Sequence, residues 1–253
     1  MTSKIAIIGY GKMGCEIEKA AKDRNIAVQA IIDPAQEKRG KFFTEISAES
    51  MKDVDVCIDF TAPAVVMENV KKIAEYKKNI VIGTTGWYDK IGEVREIAEK
   101  NNVGIIYAPN FSIGVNLFFR VIENASKLFN RFAEYDPFVY ELHHNQKLDS
   151  PSGTGKKLGE IVLQNINRKS KAEYGMLDRK IEPGELHVAS VRAGSIPGTH
   201  VVGFDSKADT IELKHTARGR AGFAVGAVSA AEWIADKKGF YSMDDMMKNI
   251  LES

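Results

Sequence analysis

Lys4-Ile5-Ala6-Ile7-Ile8-Gly9-Tyr10-Gly11-Lys12-Met13-Gly14 decides the fold. Its first half is a continuous apolar run, the pattern of a strand buried on both faces of a parallel sheet. The glycines follow at once. A helical pattern then runs through Ile17, Ala20 and Ala21, and Ala27-Val28-Gln29-Ala30-Ile31-Ile32 reads as a second strand ending at Asp33. Strand, glycine turn, helix and strand in this order make the GxGxxG match a dinucleotide-binding fingerprint. Gly9 and Gly11 permit a tight turn and close approach to a pyrophosphate, Gly14 lets helix and strand pack, and Tyr10, Lys12 and Met13 complete the loop. Asp33 stands near the ~20-residue spacing at which a carboxylate accepts hydrogen bonds from the adenosine ribose and repels a 2′-phosphate. NADH is therefore expected to be accepted. Lys38, Arg39 and Lys41 follow; a mobile cation among them would accommodate NADPH, whereas solvated loop charges would not. The choice between NADH and NADPH stays open at this level.

The same alternation continues. Val54 to Phe60 reads as another buried strand, ended by Thr61-Ala62-Pro63, and Ala64 to Tyr76 as a helix. Asn79-Ile80-Val81-Ile82 leads into the polar loop Gly83-Thr84-Thr85-Gly86, Asp89 to Asn101 is helical, and Val103 to Ala108 is one more strand. This predicts a Rossmann-like, doubly wound parallel sheet. Ligands bind such sheets at the carboxyl ends of the strands, so Thr61, Gly83, Thr84 and Thr85 are expected to face the cofactor. A long helix over 113–132 then carries the chain out of this domain.

The second half has a different texture. Phe138-Val139-Tyr140-Glu141-Leu142-His143 is a β-rich run. It passes through His144 and Lys147 and breaks at Pro151 into Ser152-Gly153-Thr154-Gly155, which opens a helix. Backbone N–H groups at a helix start attract anions, and imidazoles titrate near neutrality, so a small polyanion is expected here. Asn165 to Gly184 is polar and reads as a surface loop. Leu186–Arg192, His200–Phe204 and Thr210–His215 are β-rich and separated by turn signals, which predicts consecutive antiparallel pairing. The expected organisation is a dinucleotide-binding domain, 1–112 plus 222–253, and an α+β domain, 113–221, built on a mixed or antiparallel sheet for substrate binding and oligomerisation. Gly222 to Ala235, small and apolar with helical periodicity, should be a buried helix returning to the first domain.

Composition excludes several classes. With 35 Lys+Arg against 34 Asp+Glu, no general field draws the chain to nucleic acid or an anionic membrane. There is no basic recognition helix for DNA, no apolar run long enough to span a bilayer, and no signal-peptide pattern at the N-terminus. Cys15 and Cys57 fit neither metal spacing nor a disulfide framework, which points to a reducing, cytoplasmic setting and to no metal. Gly153-Thr154-Gly155-Lys156-Lys157 lacks the first glycine and the Ser/Thr of a phosphate-binding Walker loop, so ATP binding is not supported.

Taken together, these stretches resemble the 4-hydroxy-tetrahydrodipicolinate reductases, also called dihydrodipicolinate reductases, of the diaminopimelate and lysine pathway. The likeness is carried by Gly9 to Gly14, Gly83-Thr84-Thr85-Gly86, Ala108-Pro109-Asn110-Phe111-Ser112-Ile113-Gly114-Val115-Asn116, Glu141 to Thr154, and Ser190-Val191-Arg192-Ala193-Gly194. Glu-x-His-His-x-x-Lys-x-Asp-x-Pro-Ser-Gly-Thr is its most specific part. Many members carry Gly-x-Gly-Gly-Arg-Met-Gly where this chain has Lys12, and a lysine offers a phosphate no planar fork.

The resemblance implies NADH- or NADPH-dependent reduction of a six-membered cyclic imine dicarboxylate to tetrahydrodipicolinate with loss of water, in a homotetramer assembled through second-domain sheets. It adds Ala108, Pro109, Asn110 and Phe111 to the cofactor-binding set. Hydride addition builds negative charge that a proton must quench. His143 is expected as general acid, with Lys147 as a second donor or fixed cation. His144 is expected on a substrate carboxylate, with Ser152, Gly153 and Thr154 holding a carboxylate at the helix opening. Arg192 fits either a structural ion pair or a substrate contact. The rival readings are an amino-acid dehydrogenase on the same plan and a non-catalytic NADH-sensing regulator.

Overall fold

The computed structural model of the chain describes residues 3–252. In chain order it has β1 (Ile5–Ile8), α1 (Lys12–Asp23), β2 (Val28–Ile32), β3 (Phe42–Phe43), β4 (Val56–Asp59), α2 (Val66–Glu75), β5 (Asn79–Ile82), α3 (Ile91–Asn101) and β6 (Gly104–Tyr107). Then follow α4 (Ile113–Phe129), β7 (Asp136–His143), α5 (Gly153–Asn165), β8 (Lys171–Glu173), β9 (Glu185–Arg192), β10 (Thr199–Asp205) and β11 (Thr210–Thr216). The chain closes with α6 (Ala221–Ile234), β12 (Gly239–Ser242) and α7 (Met243–Glu252). It divides into two compact units, Met1–Ile113 with Arg220–Ser253, and Gly114–Gly219.

The first unit is a seven-stranded sheet in the order β12-β6-β5-β4-β1-β2-β3, parallel at every pairing. Successive strand residues point to opposite faces, and both faces are covered. Ile5, Ile7, Ile31, Val56 and Ile58 pack under α1, α6 and α7. Ala6, Ile8, Ala30, Ile32 and Cys57 pack under α2 and α3. This is why the strands read as unbroken apolar runs rather than as alternation. The strand order reverses between β1 and β4, so the loops leaving those two strands diverge and open a crevice at their carboxyl ends.

Helix α6 is apolar nearly all round because it is buried nearly all round. It lies so close to the segment after β6 that a Cβ built on Gly226 would sit 1.7 Å from the Phe111 carbonyl oxygen. Asn79, buried at the start of β5, donates from Nδ2 to the Ile234 carbonyl at 2.7 Å and accepts the Gly104 N–H at 2.7 Å. It thereby joins the end of α6 to two strands. The edge strand β12 has no counterpart in the sequence reading.

The second unit is a mixed five-stranded sheet, β11-β10-β7-β9-β8. Val139, Leu186, Val188, Val202 and Phe204 on one face pack with Leu158, Ile161 and Val162 of α5 and with Phe118 and Ile122 of α4. Two expectations need correction here. The three strands β9, β10 and β11 do not pair consecutively: β10 and β11 are antiparallel neighbours, but β7 lies between β10 and β9, and β9 is parallel to β7. The chain leaving β9 stays pinned to the end of β7, with the Ala193 N–H on the His143 carbonyl at 2.9 Å and the Asn145 N–H on the Gly194 carbonyl at 3.1 Å. It therefore passes over β7 to its far edge instead of turning back as a hairpin. Nor is 165–184 wholly a loop. It contains β8, an edge strand whose flanking Lys171 and Glu173 disguise it, since edges are commonly marked by charge.

The close approach at Gly226 generates a paired expectation. Gly226→Ala should destabilise the protein by about 2–3 kcal/mol, the range of overpacking against backbone. Gly222→Ala, whose Cβ would meet only Ser112 Oγ at 3.4 Å, should be neutral or stabilising by less than about 1 kcal/mol. Urea unfolding of both variants checks this, and equal losses would contradict the packing described.

Candidate active site

The nucleotide-type loop of the first unit is held by close contacts that admit no side chain. Gly9 has φ +87°, and a Cβ there would lie 2.6 Å from the Phe60 carbonyl oxygen. A Cβ on Gly14 would lie 2.4 Å from the Gly9 carbonyl oxygen, so α1 starts against the turn itself. Gly11 occupies the N-cap of α1 and brings no side-chain cap, leaving the helix start to backbone donors. Asp33 accepts the Tyr10 N–H at 2.7 Å on one oxygen and the Ala35 N–H at 2.8 Å on the other. It thus fastens the glycine loop to the end of β2. The Tyr10 ring packs edge-on against Phe42 and its hydroxyl donates to Glu18, which also pairs with Lys41 at 2.5 Å. Lys38 pairs with Glu49. Of the three cations after Asp33, Arg39 is the one without a carboxylate partner among the described residues. Lys12 and Gly11 are exposed and Met13 is half-buried.

At the ends of β4, β5 and β6 the predicted residues divide into inward and outward sets. Thr84 is buried and Thr85 exposed; Thr61 is half-buried. Gly83 lies under the Phe60 ring, where a Cβ would be 2.1 Å from Cζ. Ala108 and Phe111 are buried, Pro109 is exposed, and Asn110 accepts the Ser112 N–H at 2.8 Å. These residues all gather at the carboxyl end of the parallel sheet.

In the second unit, alternation along β7 sends Val139, Glu141 and His143 to the helix-covered face. Glu141 is fully buried. Its Oε1 accepts from the Ser152 N–H at 2.9 Å, Arg192 Nη2 at 2.8 Å and Ser190 Oγ at 3.1 Å. Its Oε2 accepts from the Ser152 hydroxyl and lies 3.4 Å from His200 Nε2. Burial opposes ionisation, but the hydrogen bonds from His200, Ser152 and Arg192 outweigh it and hold this carboxyl well below the usual carboxylate range. Glu141 also dictates a glycine: a Cβ on Gly155 would sit 2.6 Å from Oε2.

His143 closes β7, buried, with its ring 5.0 Å from that of His200 and Nδ1 3.6 Å from Glu141 Oε1. Titration near neutrality is not what its surroundings give. Burial, opposed by Glu141 and aided by the charges of His200, Lys147 and Arg192, lowers its pKa to about 4. At neutral pH His143 is a neutral imidazole. At its outer edge, Gly198 leaves room that a side chain would fill, since a Cβ there would lie 3.0 Å from Nε2. His144 is half-buried just beyond the strand. Lys147 ion-pairs with Asp149 at 2.8 Å.

Ser152, expected to offer donors outward, turns inward instead. It is the N-cap of α5, its Oγ accepting the Gly155 N–H, while its own N–H and hydroxyl are taken up by Glu141. Gly153, exposed, and Thr154, half-buried, carry the helix opening outward. Arg192 is held by Glu141 and by the Asp149 carbonyl at 2.7 Å, which joins β9 to the loop before α5.

His143 and the start of α5 thus meet at a carboxylate to which sequence reasoning assigned no role, with Lys147 near enough to act on His143 through its charge. Glu141 had a readable signal, because it shares the inward parity of His143 two residues on. His200 had none, since only the β10–β7 register sets it opposite Glu141. Asp59, buried at the end of β4, was likewise passed over as part of an apolar strand. Glu141, His143 and His200 bring ligand-type atoms within 4.8 Å of one another. The carboxylate among them already accepts a guanidinium, a backbone N–H and two hydroxyls, which is the donor set of an anion clamp rather than of a cation site.

Comparison with known proteins gives a consistent result. Residues 3–111 match the family described as dihydrodipicolinate reductase, N-terminus, and residues 114–247 the one described as dihydrodipicolinate reductase, C-terminus. A 4-hydroxy-tetrahydrodipicolinate reductase of Christiangramia forsetii is 37% identical over 98% of this chain and 99% of its own length. That of Archaeoglobus fulgidus is 40% identical over 97% of this chain and 100% of its own. Among solved structures, dipicolinate-bound dihydrodipicolinate reductase from Paenisporosarcina sp. TG-14 superposes with a TM-score of 0.77 at 26% identity, covering 97% of this chain and 99% of that one.

The Glu141 clamp generates a prediction with a defined pH window. Glu141→Gln should cost about 3 kcal/mol at pH 7, the scale for breaking a buried charge pair. Because the folded pKa lies below the ordinary value of 4.5, the wild-type advantage is fully present above about pH 5. It should shrink as the unfolded chain takes up the proton below that. Urea titrations of both proteins between pH 7 and pH 4 measure the gap, and a gap that widens toward acid would refute the assignment.

Proposed function

We propose that this chain, which belongs to the dihydrodipicolinate reductase family, reduces 4-hydroxy-tetrahydrodipicolinate to tetrahydrodipicolinate with a nicotinamide nucleotide as reductant, releasing water. The observation that carries the reading is the second unit's cluster of paired imidazoles, lysine and open helix start around a clamped carboxylate, borne by a chain that also has a dinucleotide loop. Such a cluster suits a small ring dicarboxylate, and the ligand named for the Paenisporosarcina relative is one.

In this reading the nucleotide is held on the first unit by Gly9 to Gly14, Asp33, Thr61, Gly83, Thr84, Thr85 and Ala108 to Phe111. The fit rests on the crowding at Gly9 and Gly14, where backbone alone is left to meet a pyrophosphate. When bound, the nucleotide supplies the hydride. NADH is compatible with Asp33; NADPH needs a cation for its 2′-phosphate, and Arg39 is the candidate. The second unit takes the substrate. Gly153 and Thr154 meet one carboxylate at the start of α5, where N–H groups and the helix dipole favour an anion. His144 meets a carboxylate as well, and Lys147 stands as a fixed cation. Ser152 holds the helix opening to Glu141 rather than meeting substrate itself.

His143 delivers the proton. Neutral in the free protein, it gains basicity when a dianion binds beside it, because a nearby opposite charge favours the protonated form by about 1–3 pKa units. A proton taken at Nδ1 faces Glu141, leaving Nε2 beside Gly198 as the exchanging atom. The assembly proposed is a homotetramer joined through the open faces of the second-unit sheets, in a reducing cytoplasm.

The test is oxidation of NADH, and separately of NADPH, with substrate generated in place from pyruvate and aspartate semialdehyde by a dihydrodipicolinate synthase. Turnover is expected; none, from protein that binds NADH, would move the chain to the amino-acid dehydrogenase reading. His143→Gln should lower kcat by about a hundredfold to ten-thousandfold, the usual weight of a general acid, with NADH affinity nearly intact. Imidazole NMR should place His143 near 4 in the free protein and higher with dipicolinate bound. A pKa that does not rise would remove His143 as the acid and leave Lys147.

A further inference from the structure

Asp59 closes β4 with its carboxylate fully buried, and it has four donors. Thr61 reaches Oδ1 through its N–H at 3.1 Å and its hydroxyl at 2.8 Å, Thr84 reaches Oδ1 through its hydroxyl at 2.7 Å, and Asn69 Nδ2 reaches Oδ2 at 2.9 Å. The directions are fixed by counting hydrogens. Thr84 Oγ1 accepts the Thr61 N–H at 2.8 Å, so its single hydrogen goes to Asp59. Thr61 Oγ1 takes a second, longer contact from Asn69 Nδ2 at 3.4 Å, so its hydrogen also goes to Asp59. The carboxylate is the acceptor on which the loop after β4, the loop after β5 and helix α2 converge. Burial raises its pKa, and the hydrogen bonds from Thr84, Asn69 and Thr61 oppose that rise.

The position of this network in the sheet gives it a function. The glycine loop leaves β1, and Asp33, the acid proposed for the ribose, follows β2 on one side of it. β4 and β5 lie on the other side of β1. A dinucleotide with its pyrophosphate at the start of α1 therefore lays its adenosine half toward β2 and its nicotinamide half toward β4 and β5. Thr61 and Thr84, whose loops flank that second half, are joined by hydrogen bonds through Asp59 and by the Thr61–Thr84 bond. We propose that Asp59 is a positioning residue for the nicotinamide half of the cofactor, setting the loops after β4 and β5 as one unit without touching the nucleotide. Asn69 is its third anchor. The inference rests on the nicotinamide-nucleotide reading of the first unit.

Binding of NADH against ADP-ribose separates this role from simple stability, because ADP-ribose lacks the nicotinamide. Asp59→Asn places an amide where Asn69 already donates. It should weaken NADH binding, followed by nucleotide fluorescence, by about tenfold or more while ADP-ribose affinity stays within about twofold. Asn69→Ala, which removes the third anchor at a residue outside the nucleotide-holding set, should do the same by about three- to tenfold, and it decides the matter alone if Asp59→Asn does not fold. Parallel loss of both ligands, or no loss of either, would overturn the proposal. Wild-type protein that binds ADP-ribose but not NADH is a different result: it would overturn the nicotinamide reading itself, and the inference with it.

Discussion

A carboxylate withdrawn from water must be met by donors, and this chain uses that requirement to fasten its working loops. Asp33 just past β2, Asp59 at the end of β4 and Glu141 inside β7 each gather N–H or O–H groups from other segments of the chain. Asp33 takes two backbone N–H groups and ties the glycine loop to β2. Asp59 collects Thr61, Thr84 and Asn69. Glu141 takes Ser152 at the start of α5 together with Arg192 and Ser190 of β9. In each case the packed sheet holds the acid in place, and the loops that donate to it share that placement through their hydrogen bonds.

The same requirement shapes the electrostatics of the second unit. Glu141 stays ionised beneath two imidazoles, yet burial dominates at His143 and keeps it neutral. The result is a site with unused capacity for a proton, beside a cation and a helix start that favour anions. Its protonation state is thus set by burial and by neighbouring charges rather than by the ordinary imidazole range.

Much of this was legible in the residues. The β1 to β6 alternation, the glycine loop, and the stretch from His143 to Thr154 all follow local rules: continuous apolar runs for strands covered on both faces, glycine where backbone must approach backbone, and an N-cap serine before a helix. What escaped were features with no local signature. β8 looked like a loop because its outward residues are charged. The order of β7, β9 and β10 depended on where the chain leaving β9 is pinned. His143 looked like a group titrating near neutrality because its burial belongs to the fold rather than to its neighbours in the chain.

The sequence by itself determined most of the element types, the edge strands β8 and β12 aside, and the parallel sheet of the first unit, since propensity and periodicity act within a few residues. Only the tertiary structure decided which donors meet Asp59 and Glu141, that Ser152 faces inward, and that His143 is neutral. Those outcomes depend on strand register and burial, which bring together groups as far apart in the chain as Glu141 and His200, and no local pattern encodes such a distance.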